Sequence, residues 1–141
     1  MRDIGVDDQQ LEHIIRICNM TPSSGSLQTF EIYRIKSEDS KQKLANAAHD
    51  QQYVAEAPLL LVFCANPLRS LDTFGERKYL FSVQDATIAA AYAQLASCSL
   101  GLSSVWTKIG SPKLLAFPRV IGPLHRIFKR KTARKDYKRI S

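Results

Sequence analysis

The sequence has no apolar run long enough to cross a membrane. The longest such run is APLLLVFCA at residues 57–65, whereas a spanning helix needs about 20 apolar residues. The first ten residues, MRDIGVDDQQ, also lack the hydrophobic segment that forms the centre of a signal peptide. We therefore expect a cytoplasmic protein.

Cysteine and histidine are scarce and widely separated. The chain has three of each, without CxxC spacing or a cluster of metal-ligand type. This pattern argues against a disulfide framework and against a zinc site. Because each cysteine falls inside an apolar segment, we expect Cys18, Cys64 and Cys98 to be core residues and no metal to be bound.

Several catalytic motifs are also missing. The chain contains neither the GxxxxGK[ST] of a P-loop nor the GxGxxG of a dinucleotide fold, and it has no GxSxG nucleophile elbow. One carboxylate, Asp85, lies within an apolar helical pattern. It is a general base, a hydrogen-bonding residue that pairs two helices, or a residue at a helix end that accepts N–H groups. Trp106 is most simply a core residue.

Positive charge is confined to the end of the chain. The formal net charge is +7, and residues 126–139 contain eight basic residues and one acidic residue. The remainder carries equal numbers of both signs, so a broad nucleic-acid-binding face is excluded. The basic segment can bind a phosphate group or an anionic surface.

Hydrophobic periodicity predicts three helices and three strands. The first helix begins at a capping box of Asp7 and Gln10 and ends near Asn19. The other helices are predicted at about 38–49 and 78–100, and the strands at 30–35, 57–65 and 103–109. A polar, mobile connection is expected at 66–75.

These elements predict an α/β or α+β chain with a packed core. The strand at 57–65 is apolar on both faces, which is typical of the middle of a sheet covered by helices. The helix at 78–100 is rich in alanine, so we expect a central helix packed closely on several sides. We expect one domain at residues 1–125 and a basic arm at 126–141.

The loop TPSSGSLQTF, residues 21–30, joins the first helix to the first strand. It offers hydroxyl and backbone N–H groups, and Gly25 relaxes its steric limits. Such a loop can hold an anion or hydrogen-bond a polar ring. A structural turn is the plainer alternative.

Three blocks of sequence together resemble the nitroreductase family of flavoenzymes. The blocks are EHIIRICNMTPSSGSLQTFEIYRI, QQYVAEAPLLLVFCA and FGERKYLFSVQDATIAAAYAQLASCSLGLSSVWTKIG. They are similar to the family's helix and A-P-S-S-x-N-x-Q-P-W loop, its V-x-E-A-P strand, and its Q-D-A helix with an L-G-L-x-S-x-W exit. They occur in the family's order and cover about residues 3–110.

The resemblance implies a fold, a cofactor and an activity. The fold is an α+β three-layer α-β-α sandwich with a central mixed sheet and an Ala-rich central helix. The family's homodimers bind FMN at the subunit interface and pass electrons from NAD(P)H to nitroaromatic, quinone or similar acceptors. The implied mechanism is ping-pong, and no acid–base dyad is needed because the cofactor performs the hydride transfer.

The resemblance also implies the cofactor-binding residues. Those that match the family's flavin-facing loop are Pro22, Ser23, Ser24, Ser26 and Gln28, with Ser26 where the family usually has Asn. The segment that starts at Thr107 and ends at Gly110 matches backbone close to the flavin. The closing basic arm implies that Arg134 and Lys135 hold the FMN phosphate.

The chain departs from the family pattern at two places. It lacks the R-R-S-x-R phosphate motif before the first helix, and the segment after Gly110 is short and interrupted by proline. Two alternatives remain open. One is a truncated or degenerate nitroreductase-fold protein without FMN, and the other is an anion- or nucleic-acid-binding protein that uses the basic tail.

Overall fold

The chain was analysed as a computed structural model that describes residues 5–107 and 137–139. Their contacts divide them into two compact units. The first contains Arg34–Val62 with residues 106–107 and 137–138, and the second contains Gly5–Tyr33, Phe63–Val105 and residue 139. The separation into a domain at 1–125 and an arm at 126–141 stays a prediction.

The first unit contains two helices. Helix α2 (Glu38–Ala47) begins where the Ser37 hydroxyl accepts a hydrogen bond from the Ser40 backbone N–H at 3.1 Å. A short helix, α3 (Tyr53–Glu56), follows and packs against α2. Between them His49 and Asp50 have φ values of 59° and 57°, so α2 ends before the predicted residue 49.

The second unit is organised around two long helices. Helix α1 (Asp8–Asn19) begins at the expected capping box, in which Asp7 accepts from the Gln10 backbone N–H at 2.7 Å and Gln10 accepts from that of Asp7 at 3.1 Å. Its apolar face is buried, as the periodicity predicts. The buried residues are Leu11, Ile14, Ile15 and Cys18.

Helix α5 (Lys78–Ser99) is the long Ala-rich helix that the sequence predicts. It ends where Gly101 adopts φ 74° and the N–H of Leu102 bonds to the carbonyl of Ser97 at 2.9 Å. This is the glycine-terminated helix end expected of a Schellman motif. The face of α5 that packs against α1 carries small side chains, so the two backbones can approach closely.

In the part of the chain that the structure describes, three strands form one sheet in the order β2–β1–β3. They are β1 (Phe30–Ile35), β2 (Leu60–Ala65) and β3 (Tyr137–Arg139). The N–H of Asn66, just after β2, bonds to the carbonyl of Thr29, just before β1, at 2.8 Å, so β1 and β2 are antiparallel. Helices with such a sheet make the described chain α+β, as predicted.

Two strand predictions require correction. Within the described residues β2 is an edge strand, most of its side chains are only half-buried, and β1 is central. The apolar run therefore indicated a strand but not its place in the sheet. No strand forms at 103–107, while residues 108 and 109 lie outside the described residues.

Other expectations were wrong for side-chain burial or local order. The connection at 66–75 folds into short turns, at Pro67–Ser70 and from Gly75, with the helix α4 (Leu71–Phe74) between them. Trp106 and Cys98 are exposed, Cys64 is half-buried, and only Cys18 is a core cysteine. An apolar neighbourhood in sequence does not fix the direction in which a side chain points.

Candidate functional site

The loop at residues 21–30 leaves α1 in a defined conformation. The Thr21 hydroxyl donates to the carbonyl of Cys18 at 2.8 Å, which satisfies one of the free carbonyls at the end of the helix. The loop then makes a 3-10 turn over Ser24–Ser26 before it enters β1. It is therefore an ordered part of the second unit.

Three residues of this loop have a left-handed backbone. The φ values are 59° at Gly25, 58° at Ser26 and 46° at Gln28. Glycine adopts this region readily, whereas serine and glutamine do so at a cost of about 1–2 kcal/mol each. A Cβ atom at Gly25 would also lie 3.2 Å from Cζ of Phe74. Other contacts must hold the loop in this shape.

The strongest of those contacts come from Asp85 on α5. Its Oδ1 accepts from the backbone N–H and the hydroxyl of Ser24, at 2.9 and 3.1 Å. Its Oδ2 accepts from the same two groups of Thr29, at 3.2 and 2.6 Å. The side chain is buried, with 1% exposure. A buried carboxylate needs such donors to offset its lost hydration.

Four donors fill the acceptor capacity of one carboxylate. The structure therefore supports a hydrogen-bonding role for Asp85, although its partners are in the loop and not in a second helix, and Asp85 does not lie at a helix end. A general base needs a lone pair directed at its substrate, and the contacts of Asp85 occupy its lone pairs with the loop. Asp85 thus fixes two points of the loop to the third turn of α5.

A second set of contacts holds Gln28 in place, and one of them comes from the turn after β2. Arg69 donates from Nη1 to the carbonyl of Gln28 at 2.8 Å, and its Nη2 lies 3.9 Å from Glu31. The Gln28 side chain donates to the carbonyl of Asn19 at 2.6 Å. The Gln28 N–H bonds to the Ser23 hydroxyl oxygen at 3.0 Å. The left-handed Gln28 is therefore held on several sides.

A groove of about 520 Å³ opens between the loop and α5. The loop side presents proline and serine, and the helix side presents two apolar side chains among polar ones. No lysine or arginine is among the lining residues, which are Pro22, Ser23, Ser24, Val83, Gln84, Asp85, Thr87 and Ile88. The groove therefore offers an apolar wall opposite hydroxyl groups.

The predicted cofactor residues are only partly brought together. Pro22, Ser23 and Ser24 line the groove. Ser26 and Gln28 lie in the same loop but do not line it, since Gln28 directs its amide towards α1. Thr107 belongs to the first unit, where its hydroxyl lies 2.9 Å from the Tyr53 hydroxyl.

Three other predicted residues, Gly110, Arg134 and Lys135, lie outside the described residues. Within residues 5–107 and 137–139 no group of histidine, cysteine and acidic side chains could hold a metal ion. No helix in that part of the chain is long and apolar enough to span a membrane.

Burial sets the ionisation of two thiols in the second unit. It raises the pKa of Cys18 to about 11 and that of Cys64 to about 11, and the nearby Glu31 carboxylate raises the latter further. Both thiols are therefore protonated at neutral pH. The Cys18 thiol donates to the carbonyl of Ala89 at 3.5 Å, which shows how closely α1 approaches α5.

Sequence reasoning missed several residues that line the groove or hold the loop in place. The polar context of Arg69 gave no sign of its contact with the loop. The lining residues of α5 were hidden because the helix is apolar on all sides and has no clear polar face. One signal did exist, since a lone aspartate in an Ala-rich helix indicates a buried polar contact.

Comparison with known proteins shows a family and several relatives to which the chain is similar. The model of the Nitroreductase family matches residues 2–66. A Bacillus subtilis (strain 168) relative named FMN reductase NAD(P)H is 31% identical over 140 residues, which cover 86% of this chain and 56% of the relative. The chain spans about half the length of the curated relatives that it matches.

Two solved structures are similar in fold. The Bacillus megaterium protein NfrA2 superimposes with a TM-score of 0.67 at 32% identity, over 73% of this chain and 46% of that one. The NADPH:FMN oxidoreductase from Vibrio harveyi, solved with NAD+, gives a TM-score of 0.67 at 30% identity, over 72% and 47%. These comparisons confirm the nitroreductase-like α+β fold, and over residues 2–66 the chain is similar to the Nitroreductase family.

Proposed function

We propose that this protein is an FMN-dependent oxidoreductase that passes electrons from NAD(P)H to nitroaromatic, quinone or similar acceptors. The observation that carries the proposal is the groove between the ordered loop and α5. The similar proteins include an FMN reductase and an NADPH:FMN oxidoreductase, and we take the cofactor and the electron donor of the proposal from them.

The groove has suitable size and chemistry for the isoalloxazine ring of FMN. Its volume of about 520 Å³ lies within the range of about 300–1,000 Å³ that is usual for cofactor pockets. Val83 and Ile88 offer an apolar surface to the flat ring, and the serines of the loop offer polar groups to its edge. The described groove therefore fits the ring.

Ser23 is the side chain best prepared to donate to the ring. Its oxygen accepts from the Gln28 N–H at 3.0 Å, and a hydroxyl has one proton to donate as well. The Ser24 hydroxyl, in contrast, donates to Asp85. When bound, FMN supplies the hydride chemistry, and the chain positions the ring.

The FMN phosphate requires cations from outside this groove, because no basic residue lines it. We assign that role to Arg134 and Lys135, with Thr107 and Gly110 contributing nearby backbone. Charge-assisted hydrogen bonds from basic side chains are the usual way to hold a phosphate. A ping-pong mechanism follows if the electron donor and the acceptor use the same groove in succession.

A homodimer is part of the proposal. The side of α5 opposite α1 exposes large apolar side chains, and an apolar helix face of this kind is typical of a protein–protein contact. The most exposed are Leu80 and Leu95, at 57% and 67%. We propose that a second copy of the chain covers this face. The cytoplasmic location stays a prediction.

Spectroscopy on the full chain tests the cofactor and the activity. We expect purified protein, or protein mixed with FMN and desalted, to absorb at roughly 450 nm as an oxidised flavoprotein does. NADH or NADPH added without oxygen should remove that band, and a quinone should restore it. Initial rates at several donor concentrations should give the parallel double-reciprocal lines of a ping-pong mechanism.

The alternatives give different results in the same preparation. A folded protein that takes up no FMN contradicts the oxidoreductase and supports the nitroreductase fold without a cofactor. Binding to DNA that weakens steeply with salt, and disappears when residues 126–141 are deleted, supports the nucleic-acid-binding alternative. Release of FMN by that deletion supports a phosphate-binding arm.

A further inference from the structure

Both ends of the flavin-facing arc of the loop meet on one carboxylate. Ser24 and Thr29 are five positions apart, and each donates a backbone N–H and a hydroxyl to Asp85, one residue to each oxygen. The two left-handed non-glycine residues, Ser26 and Gln28, lie between them. The least favourable backbone of the loop is thus enclosed by this pair of contacts.

We propose that Asp85 is a positioning residue for the cofactor, so that FMN affinity depends on a carboxylate whose lone pairs are directed at the loop. This inference rests on the proposed function, because it assumes that the groove binds FMN. Without Asp85 the arc relaxes, and Ser23 and Ser24 no longer hold their places on the groove wall. A preorganised site avoids that ordering cost on binding.

The substitution Asp85→Asn tests this with almost no change in volume. An amide has one acceptor oxygen and one NH2 donor. In one orientation the amide oxygen accepts from Ser24, and the NH2 group then faces the N–H of Thr29. In the other orientation the oxygen accepts from Thr29, and the NH2 group faces the N–H of Ser24. In either orientation two donors oppose each other, so one end of the arc is released.

The matched control is Ser82→Ala. Ser82 is buried on the same helix, one turn before Asp85, and its hydroxyl donates only within α5, to the carbonyl of Lys78 at 2.6 Å. It therefore reports what loss of a buried polar contact in α5 does when the loop is not involved. A second pair compares Thr29→Val, which removes the hydroxyl, with Thr29→Ser, which keeps it.

Two measurements are made on each full-length variant. Quenching of FMN fluorescence gives the dissociation constant of FMN, and amide hydrogen exchange by NMR gives the protection of the backbone N–H groups of residues 24 and 29. For Asp85→Asn we expect the dissociation constant to rise about tenfold or more and the protection to fall about tenfold at one or both amides. Ser82→Ala should leave both within about twofold.

The Thr29 pair carries the test if Asp85→Asn does not fold. Thr29→Val should weaken FMN binding several-fold, and Thr29→Ser should bind like the unchanged chain. Equal FMN binding by Asp85→Asn and the unchanged chain overturns the inference, as does equal weakening by Ser82→Ala. If the unchanged chain binds no FMN, the proposed function fails and the cofactor role of Asp85 fails with it. The exchange data then show separately whether Asp85 orders the loop.

Discussion

The two faces of α5 differ in how completely the chain covers them. One face is buried and carries small or hydrogen-bonded side chains, namely Ser82, Asp85, Ala86, Ala89, Ala90, Ala93 and Ala96. The opposite face exposes Leu80 and Leu95. The larger apolar side chains are thus on the exposed face, which reverses the usual order for a surface helix.

This reversal separates two functions of one helix. Small residues on the buried face let α1 and the loop approach closely, so that Asp85 and the carbonyl of Ala89 reach their partners. Large residues on the exposed face provide apolar area for a contact that the described chain does not make. Covering a leucine side chain fully is worth about 1.5–3 kcal/mol, so each exposed leucine would contribute to such a contact.

The largest expected effect comes from adding volume to the buried face. Ala89→Leu places three more carbons where Ala89 is 0% exposed and its carbonyl meets the Cys18 thiol. We expect the free energy of unfolding to fall by about 3 kcal/mol, measured by urea denaturation. Ala91→Leu on the exposed face has the same helix propensity change and, at a protein concentration low enough to keep the chain monomeric, should shift it by less than about 0.5 kcal/mol. Equal losses in both variants would remove the difference between the faces.

The loop beside the buried face should be almost as intolerant of volume. Gly25→Ala places a side chain at φ 59°, with its Cβ 3.2 Å from Phe74. Phe74 cannot move freely because its ring packs edge-on against Phe81. We expect a loss of about 2 kcal/mol. Gly101→Ala has a similar φ of 74° but no atom within 4 Å, and it should lose about 1 kcal/mol. A larger loss at Gly101 would contradict the role of Phe74.

A charge on the exposed face tests whether a second copy covers it. Leu95→Arg should raise the dissociation constant of the dimer about tenfold, which corresponds to about 1.4 kcal/mol, because the guanidinium loses hydration at the contact. Sedimentation velocity over a range of concentrations measures it. Gln9→Arg adds the same charge at an exposed position of α1 and should leave the dimer unchanged. A chain that is monomeric at all concentrations rules out the proposed dimer.

Alkaline pH should lower the free energy of unfolding through the Cys18 thiol, which contacts the buried face of α5. The folded chain raises the pKa of Cys18 from 9.0 to about 11, so above pH 9 the unfolded thiol loses its proton first. The contribution of this group is complete below pH 9 and is lost as the pH rises towards 11. Between pH 8 and pH 10 the unchanged chain should lose about 1 kcal/mol more unfolding free energy than Cys18→Ala. Cys98→Ala, on the exposed face, should keep the full pH dependence.

The contrast between the faces also shows what sequence could and could not predict. Local signals predicted α1, β1 and α5, because a capping box, β-branched residues and alanine act within a few residues. The edge position of β2 within the described residues and the exposure of Trp106 depend on distant partners, which no local pattern contains. For the site, the PSSGS stretch was found from its composition and its family resemblance. Arg69 was not, since its contact with Gln28 spans 41 positions.

The smallest expected effect concerns a residue between Ser24 and Thr29, the two loop residues that donate to Asp85. Ser26 has φ 58°, and asparagine tolerates this left-handed region better than serine. Ser26→Asn, which introduces the residue that the family resemblance places there, should therefore stabilise the chain by about 0.5 kcal/mol. Ser104→Asn is a control at an exposed position without positive φ and should change nothing measurable.

If Ser26→Asn stabilises the fold without tightening FMN binding, this position affects the loop backbone and not its cofactor contacts. Destabilisation by Ser26→Asn would mean that the loop requires serine for a reason other than its backbone angle.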